Sequence, residues 1–260
     1  MRLGWADAGI IVPWTVWKQF GDTQIIEESW NAMDLFMNHI NDTKYNHETL
    51  CGENGNYQWA DWLSYEPLES CSGLAFSPQG PLPDAVSYWN YLSASYWVID
   101  AFMMRDMAAA TGRDAAKYQQ MADSAKAYIK ENFLNEDGTF KTAILNTMQT
   151  PALFALKNQL VEGEAKAKMI DRLRENFLGT SILMATLTEN GMEDIAYELF
   201  FQRKNPSWLY SVDNGATTIW ERWNSYMIDK GMGPRGMNSF NHYAYGCVCE
   251  WIWETVAGIA

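Results

Sequence analysis

The sequence predicts an all-α fold, a closed toroid of helical hairpins, and two observations point there. Apolar residues recur at three- and four-residue steps through most of the chain, the spacing that lines one face of a helix. Glycine followed by an acidic or hydroxyl residue separates these runs repeatedly, a stop and a new cap that turn one helix back on the next. Successive antiparallel hairpins build either a solenoid or a closed α/α toroid, and the lack of a short internal period favours the toroid. With 260 residues, 48% of them hydrophobic, the chain is long enough for one large domain. No Pro/Gly/Ser-rich linker or charge block divides it.

The first helix is predicted over Ala8 to Phe20 and the second over Thr23 to Ile40, where Ile26, Trp30, Met33, Met37 and Ile40 share a face with Ile25 and Phe36. Gly21-Asp22-Thr23 supplies the stop and the cap between them. Asp42 to Pro83 is the one long irregular stretch, too long for an idle connection. A helix from near Asp84 runs to Gly112, and Asp114 caps another that continues to about Phe133. Gly138-Thr139-Phe140 reads as a short strand-like piece, and Asn190-Gly191 opens a helix from Met192 to Gln202.

Charge and composition narrow the function. Nineteen Lys and Arg against 32 Asp and Glu give a net charge of −13, the wrong sign for neutralising phosphates, so no nucleic-acid partner is expected. No apolar run is long enough to span a membrane, and the N-terminus lacks the order of a signal peptide. Of the four cysteines, Cys51 and Cys71 flank a Trp-rich loop that an oxidising compartment could bridge. The plainer reading leaves them free with Cys247 and Cys249, and no zinc spacing is present, so no metal is expected. The 13 Trp, 13 Tyr and 11 Phe are mostly core, but such density also suits flat platforms for sugar rings.

Three clusters of aromatic and polar residues lie outside the predicted helices. They are the opening stretch, the long loop with Trp59, Asp61, Trp62, Tyr65 and Glu66, and Met237 to Tyr243 ahead of the last helix. Beside them stands Asn214 to Tyr226, in which Glu221 and Arg222 lie between Trp220 and Trp223. Each has a plain structural reading. Glu221 can pair with Arg222 or cap a helix, Asp61 can be a cap, and His242 can be a hydrogen-bonded structural imidazole.

Taken together, GWADAGIIVPW (Gly4 to Trp14), ADWL (Ala60 to Leu63), FLGT (Phe177 to Thr180), AYELFFQRKNPSW (Ala196 to Trp208), NGATTIWERW (Asn214 to Trp223) and GMNSFNHYAYG (Gly236 to Gly246) resemble, in order, the catalytic domain of the glycoside hydrolase family 78 α-L-rhamnosidases. The resemblance covers nearly the whole chain. It implies an (α/α)6 barrel that removes terminal α-L-rhamnose from a rhamnose-containing glycoside or polysaccharide with inversion, without metal or organic cofactor. Inversion needs a general acid at the leaving oxygen and a carboxylate on the opposite face to activate water. Glu221 matches the family's general base, with aromatic walls that limit its solvation. His242 matches a histidine that contacts rhamnose. Trp5 and Trp62 match aromatic residues of the same subsite, with Trp220 and Trp223 as its walls. Asp7 and Asp61 match polar contacts or supports, and Arg222 is expected to orient Glu221 or a neighbouring acid.

The departures carry expectations too. The family's general acid lies in a motif resembling Asp-Cys-Pro-Gln-Arg-Asp-Glu-Arg-Leu-Gly-Trp, well ahead of Gly4, and Met1 to Trp5 imitates only its end. A His-Leu-Thr-Thr-Gly run usually precedes FLGT, whereas Asn176 here meets Phe177 directly, and a β-sandwich usually follows the position of Ala260. Ala6 and Ala60 replace family glycines. The expectation is therefore a partial barrel whose proton donor and flanking domains belong to the same parent chain. Such a substrate is met in the periplasm or outside the cell more than in the cytoplasm. The alternatives are a degenerate module that binds rhamnosides without cleaving them, or another α/α-toroid hydrolase or lyase acting on polysaccharide. The −13 charge disfavours a lyase for acidic polymers.

Overall fold

The computed structural model describes residues 5–43, 85–175, 182–233 and 236–259, and their backbone is mainly helical. Cys51, Cys71, Asp61, Trp62, the FLGT motif and the Asn176–Phe177 junction lie outside the described residues. Contacts group the chain into two compact units, Met1–Met169 and Ile170–Ala260.

In the first unit, α1 (Ala8–Phe20) and α2 (Gln24–Thr43) form the predicted hairpin. Gly21 ends α1 at φ 68°, a left-handed conformation that glycine adopts without a Cβ clash, and its N–H returns to the Trp17 carbonyl at 2.8 Å. Asp22 then accepts the Gln24 N–H at 2.8 Å and caps α2. Ile26, Met33, Met37 and Ile40 of α2 are buried as their spacing requires, while Leu35 on the other side is exposed.

The centre of this unit is α3 (Ala85–Ala110), which packs against α1, α2, α4 (Ala115–Phe133), α5 (Ala143–Thr147) and α6 (Gln149–Lys157). It is apolar almost all round and accordingly buried: Tyr88, Trp89, Tyr91, Trp97, Met104 and Met107 lose nearly all contact with solvent. The Tyr91 ring meets Phe133 and Phe140 edge-on at 5.6 and 5.1 Å, and its hydroxyl donates to the Pro151 carbonyl at 2.7 Å. Gly112 (φ 69°) lets the Arg113 N–H reach back to the Ala108 carbonyl, and Asp114 caps α4 by accepting from Ala116 and Lys117. The strand-like piece is a single bridge between Leu134 and Phe140.

The sequence reading does not foresee the break at Met148. There the backbone is extended (ψ 144°), and Pro151 stands in the first turn of α6, where its missing N–H costs no helix bond.

Two ion pairs tie α2 to the α3–α4 turn and α4. Arg113 pairs with Glu27 and lies over the Trp30 ring at 4.5 Å, and Lys117 pairs with Asp34. Asp34 also accepts from the Tyr118 hydroxyl at 2.7 Å and from Asn38 at 3.2 Å. Partial burial pushes the Asp34 carboxyl up, but the bonds from Lys117 and Tyr118 outweigh it and hold the group below its ordinary value.

Helix α7 (Gly163–Glu175) begins in the first unit and runs into the second. There α8 (Leu183–Glu189) and α9 (Glu193–Phe201) form a hairpin through Gly191 (φ 74°), as the Asn190-Gly191 signal predicts. Trp251, in the short helix α11 (Val248–Trp251), is the hub of this unit. Its ring contacts Tyr197 and Phe200, and its indole N–H donates to the Thr188 hydroxyl at 2.9 Å. Between α10 (Trp208–Asp213) and a 3-10 turn over Ala244–Cys247, the described residues make a two-residue ladder, β1 (Tyr226–Met227) with β2 (Gly231–Met232). No helix among the described residues is long and apolar enough to cross a membrane.

Candidate active site

The segment from Thr218 to Trp223 is neither helix nor strand, so its backbone groups must find partners elsewhere. They find them in residues 239–242. The Glu221 N–H donates to the Ser239 carbonyl and the His242 N–H to the Ile219 carbonyl, both at 2.8 Å, while the Thr218 hydroxyl donates to the Phe240 carbonyl. Two stretches that are separate in sequence thus lie side by side, and Glu221 and His242 belong to one arrangement.

Glu221 is only 6% exposed. A buried carboxylate requires donors, and Oε2 accepts the Ser239 N–H at 2.7 Å. The flanking tryptophans, also 6% exposed, are anchored in opposite clusters. Trp220 meets Phe240 at 5.3 Å and Tyr226 at 6.4 Å, both edge-on. Trp223 stacks on Tyr245 at 4.0 Å and receives the Trp208 ring at 88°, and the Trp208 N–H is fixed on the Tyr245 carbonyl at 2.8 Å. The Asn205 amide donates to the Trp223 carbonyl at 2.7 Å. The glutamate is therefore pinned from both neighbours by aromatic packing.

Arg222 makes no ion pair within 4 Å among the described residues, although the sequence reading expects it to orient Glu221 or a neighbouring acid. Its backbone N–H donates to the buried Ser225 hydroxyl, which turns the chain directly after Glu221. Its side chain lines a cleft of about 250 Å³ together with Trp208, Ile219, Trp220, Trp223 and Tyr245.

His242 is half-buried, and its Nδ1 accepts the Ala244 N–H at 3.3 Å. With Nδ1 an acceptor, the proton of the neutral ring sits on Nε2, which is then a donor toward whatever the site holds. Its ring lies parallel to that of Tyr243 at 5.8 Å. In the first unit, Asp7 is fully buried. Its carbonyl accepts from Ile10 and Ile11 to start α1, and its side chain makes no cap bond. Trp5, just ahead, is 57% exposed. Asp61 and Trp62 lie outside the described residues.

The described residues contain no group of three or more His, Cys, Asp or Glu placed to hold a metal ion. Burial and the nearby Glu250 push the Cys247 thiol up to about 11, so it is a protonated packing group at neutral pH.

A residue that sequence reasoning missed is Ser239. It belongs to a motif already singled out, but the peptide group that holds Glu221 leaves no trace in side-chain chemistry.

The comparisons with known proteins follow the same motifs. The family model described as bacterial alpha-L-rhamnosidase 6 hairpin glycosidase domain matches residues 1–256, across both compact units. The chain is 34% identical to an α-L-rhamnosidase of Alteromonas sp. (strain LOR), covering 98% of this chain and 28% of that protein. It is 31% identical to one from Streptomyces avermitilis, covering 99% and 23%. The crystal structure of the Streptomyces avermitilis α-L-rhamnosidase complexed with L-rhamnose superposes with a TM-score of 0.78 at 29% identity, over 99% of this chain and 23% of that one. Native α-L-rhamnosidase from Aspergillus terreus gives 0.75 at 27% identity, over 97% and 29%. The chain thus spans about a quarter of the length of these relatives and shares their (α/α)6 six-hairpin fold.

Proposed function

The chain belongs to the bacterial α-L-rhamnosidase six-hairpin glycosidase family, and on that premise we propose that it forms part of the catalytic domain of a hydrolase releasing terminal α-L-rhamnose, with Glu221 as general base. The observation that carries the reading is Glu221 itself. It is a carboxylate with almost no solvent contact, set between two anchored tryptophans and held by a peptide N–H on one oxygen. The second oxygen is the one that takes a proton from water as the water attacks the anomeric carbon. Bond formation from the face opposite the leaving oxygen inverts the centre.

The other parts follow in role. His242, with Nε2 as donor, hydrogen-bonds a rhamnose hydroxyl. Trp5 and Trp62 line the same subsite, with Trp62 packing on the sugar's apolar edge and its C6 methyl, and Asp7 and Asp61 supply polar contacts or support. Trp220, Arg222 and Trp223 shape the ground around the base. The general acid is, by the family resemblance, the glutamate of a separate motif. The ligand is a rhamnose-containing glycoside or polysaccharide, and the L-rhamnose bound in the Streptomyces avermitilis structure supports that choice.

The test is hydrolysis of an aryl α-L-rhamnoside by the full-length protein and by its Glu221→Gln variant, with the first-formed sugar anomer followed by NMR. The expected result is β-L-rhamnose as first product and a fall in kcat of about a thousandfold in the variant. An α-anomer formed first, or a variant at wild-type rate, would sink the assignment.

A further inference from the structure

Glu221 and Ser239 bind each other twice. The Glu221 N–H donates to the Ser239 carbonyl at 2.8 Å, and the Ser239 N–H donates to Oε2 at 2.7 Å. Both peptide groups of Ser239 are thus committed to one glutamate. What aims them lies just upstream. Met237 has φ 50°, the left-handed region that side-chain-bearing residues rarely occupy and that must be imposed by surrounding structure. The surroundings are visible. The Asn238 amide reaches the Ser225 carbonyl at 3.4 Å, and the Gly233 N–H reaches the same carbonyl at 2.8 Å. Gly233 approaches so closely that a Cβ there would stand 2.5 Å from the Asn224 carbonyl and 3.3 Å from the Asn238 amide. The turn is fastened to 224–225 on one side and to Glu221 on the other.

We propose that the Gly236–Ser239 turn is a positioning device for Glu221, acting through the Ser239 N–H and aimed by the left-handed Met237. The inference rests on Glu221 being the base. A peptide donor has no alternative rotamer and no protonation state, so it fixes one carboxylate oxygen and leaves the other for water. Displacement of a catalytic group by about 1 Å costs on the order of a hundredfold in rate. A held oxygen therefore bears on kcat more than on substrate binding.

The experiment uses the full-length protein with Ser239→Ala made twice, once with the normal 238–239 peptide and once with an ester in which oxygen replaces the N–H. Met237→Gly, Met237→Val and Glu221→Gln are measured beside them on an aryl α-L-rhamnoside, and L-rhamnose affinity is measured by calorimetry. The expected result is an ester variant with kcat about tenfold to a hundredfold below that of the amide variant, which shares its loss of the Ser239 hydroxyl bond to the Asn241 N–H. The ester's KM and L-rhamnose affinity stay within about twofold. Met237→Val, β-branched and unsuited to positive φ, lowers kcat by more than Met237→Gly, which adopts positive φ without strain. An ester at the amide's rate overturns the proposal, and so does an ester that loses L-rhamnose binding together with kcat. If Glu221→Gln turns over at wild-type rate, it is the base assignment that falls, whatever the ester does.

Discussion

Helix α3 and the segment Trp220–Trp223 each bury two tryptophans, by different means. In α3 the backbone satisfies itself, and Trp89 and Trp97 sink into a helix that is apolar almost all round. In the segment no helix or strand is available, so Trp220 and Trp223 are held by Phe240, Tyr226, Tyr245 and Trp208, and the backbone by residues 239–242. The same residue type therefore serves two ends. Burial in α3 makes the unit stable, whereas burial in the segment fixes the place of the carboxylate between the rings.

The sharpest break in that comparison is Glu221→Gln, expected to cost about a thousandfold in kcat while leaving the thermal unfolding midpoint nearly unchanged. Trp97→Ala should do the reverse. Loss of a ring that is 1% exposed costs about 3–5 kcal/mol in denaturant unfolding, and Trp5→Ala, at 57% exposure, stays within about 0.5 kcal/mol. Equal losses for the two would mean that α3 is not the core it is taken to be. Gly233→Ala tests the site's scaffold, because the added methyl meets a backbone carbonyl that cannot swing aside. About 1–3 kcal/mol of destabilisation is expected, with kcat lowered in the fraction that remains folded.

The smallest effect concerns pH. Asp34 is held below its ordinary value in the folded chain, so its pairing stabilises above about pH 4 and is lost as the pH falls through the folded value. The carboxylate is partly exposed, so its share is at most about 1 kcal/mol. Unfolding midpoints at pH 6 and pH 3 should therefore differ less in Asp34→Asn than in wild type.

The same contrast explains what the sequence disclosed. Gly21-Asp22-Thr23, Gly112 to Asp114 and Asn190-Gly191 mark real helix turns, because each holds a left-handed glycine, joined in the first two by a capping carboxylate within a few residues. The break at Met148 was hidden, since an extended residue between two helices needs no special side chain. Glu221 and His242 stood out in aromatic and polar clusters, but their proposed roles come from the family resemblance, as no local periodicity marks them. Ser239 was not legible as a positioning group, because its bond to Glu221 joins residues eighteen apart through a peptide N–H that every non-proline residue has. The bond from the Arg222 backbone N–H to the Ser225 hydroxyl is likewise one that sequence adjacency to Glu221 does not reveal.

The stacking of Trp223 on Tyr245 at 4.0 Å, with Trp208 crossing Trp223 at 5.2 Å and 88°, has an optical consequence. Rings this near mix their electronic transitions, and a fixed crossing angle gives the mixture a handedness. The segment next to Glu221 should thus contribute an exciton signal to the circular dichroism. It would vanish when the segment comes loose and persist when only the carboxylate is changed, so the readiness of the site can be followed in the absence of any sugar.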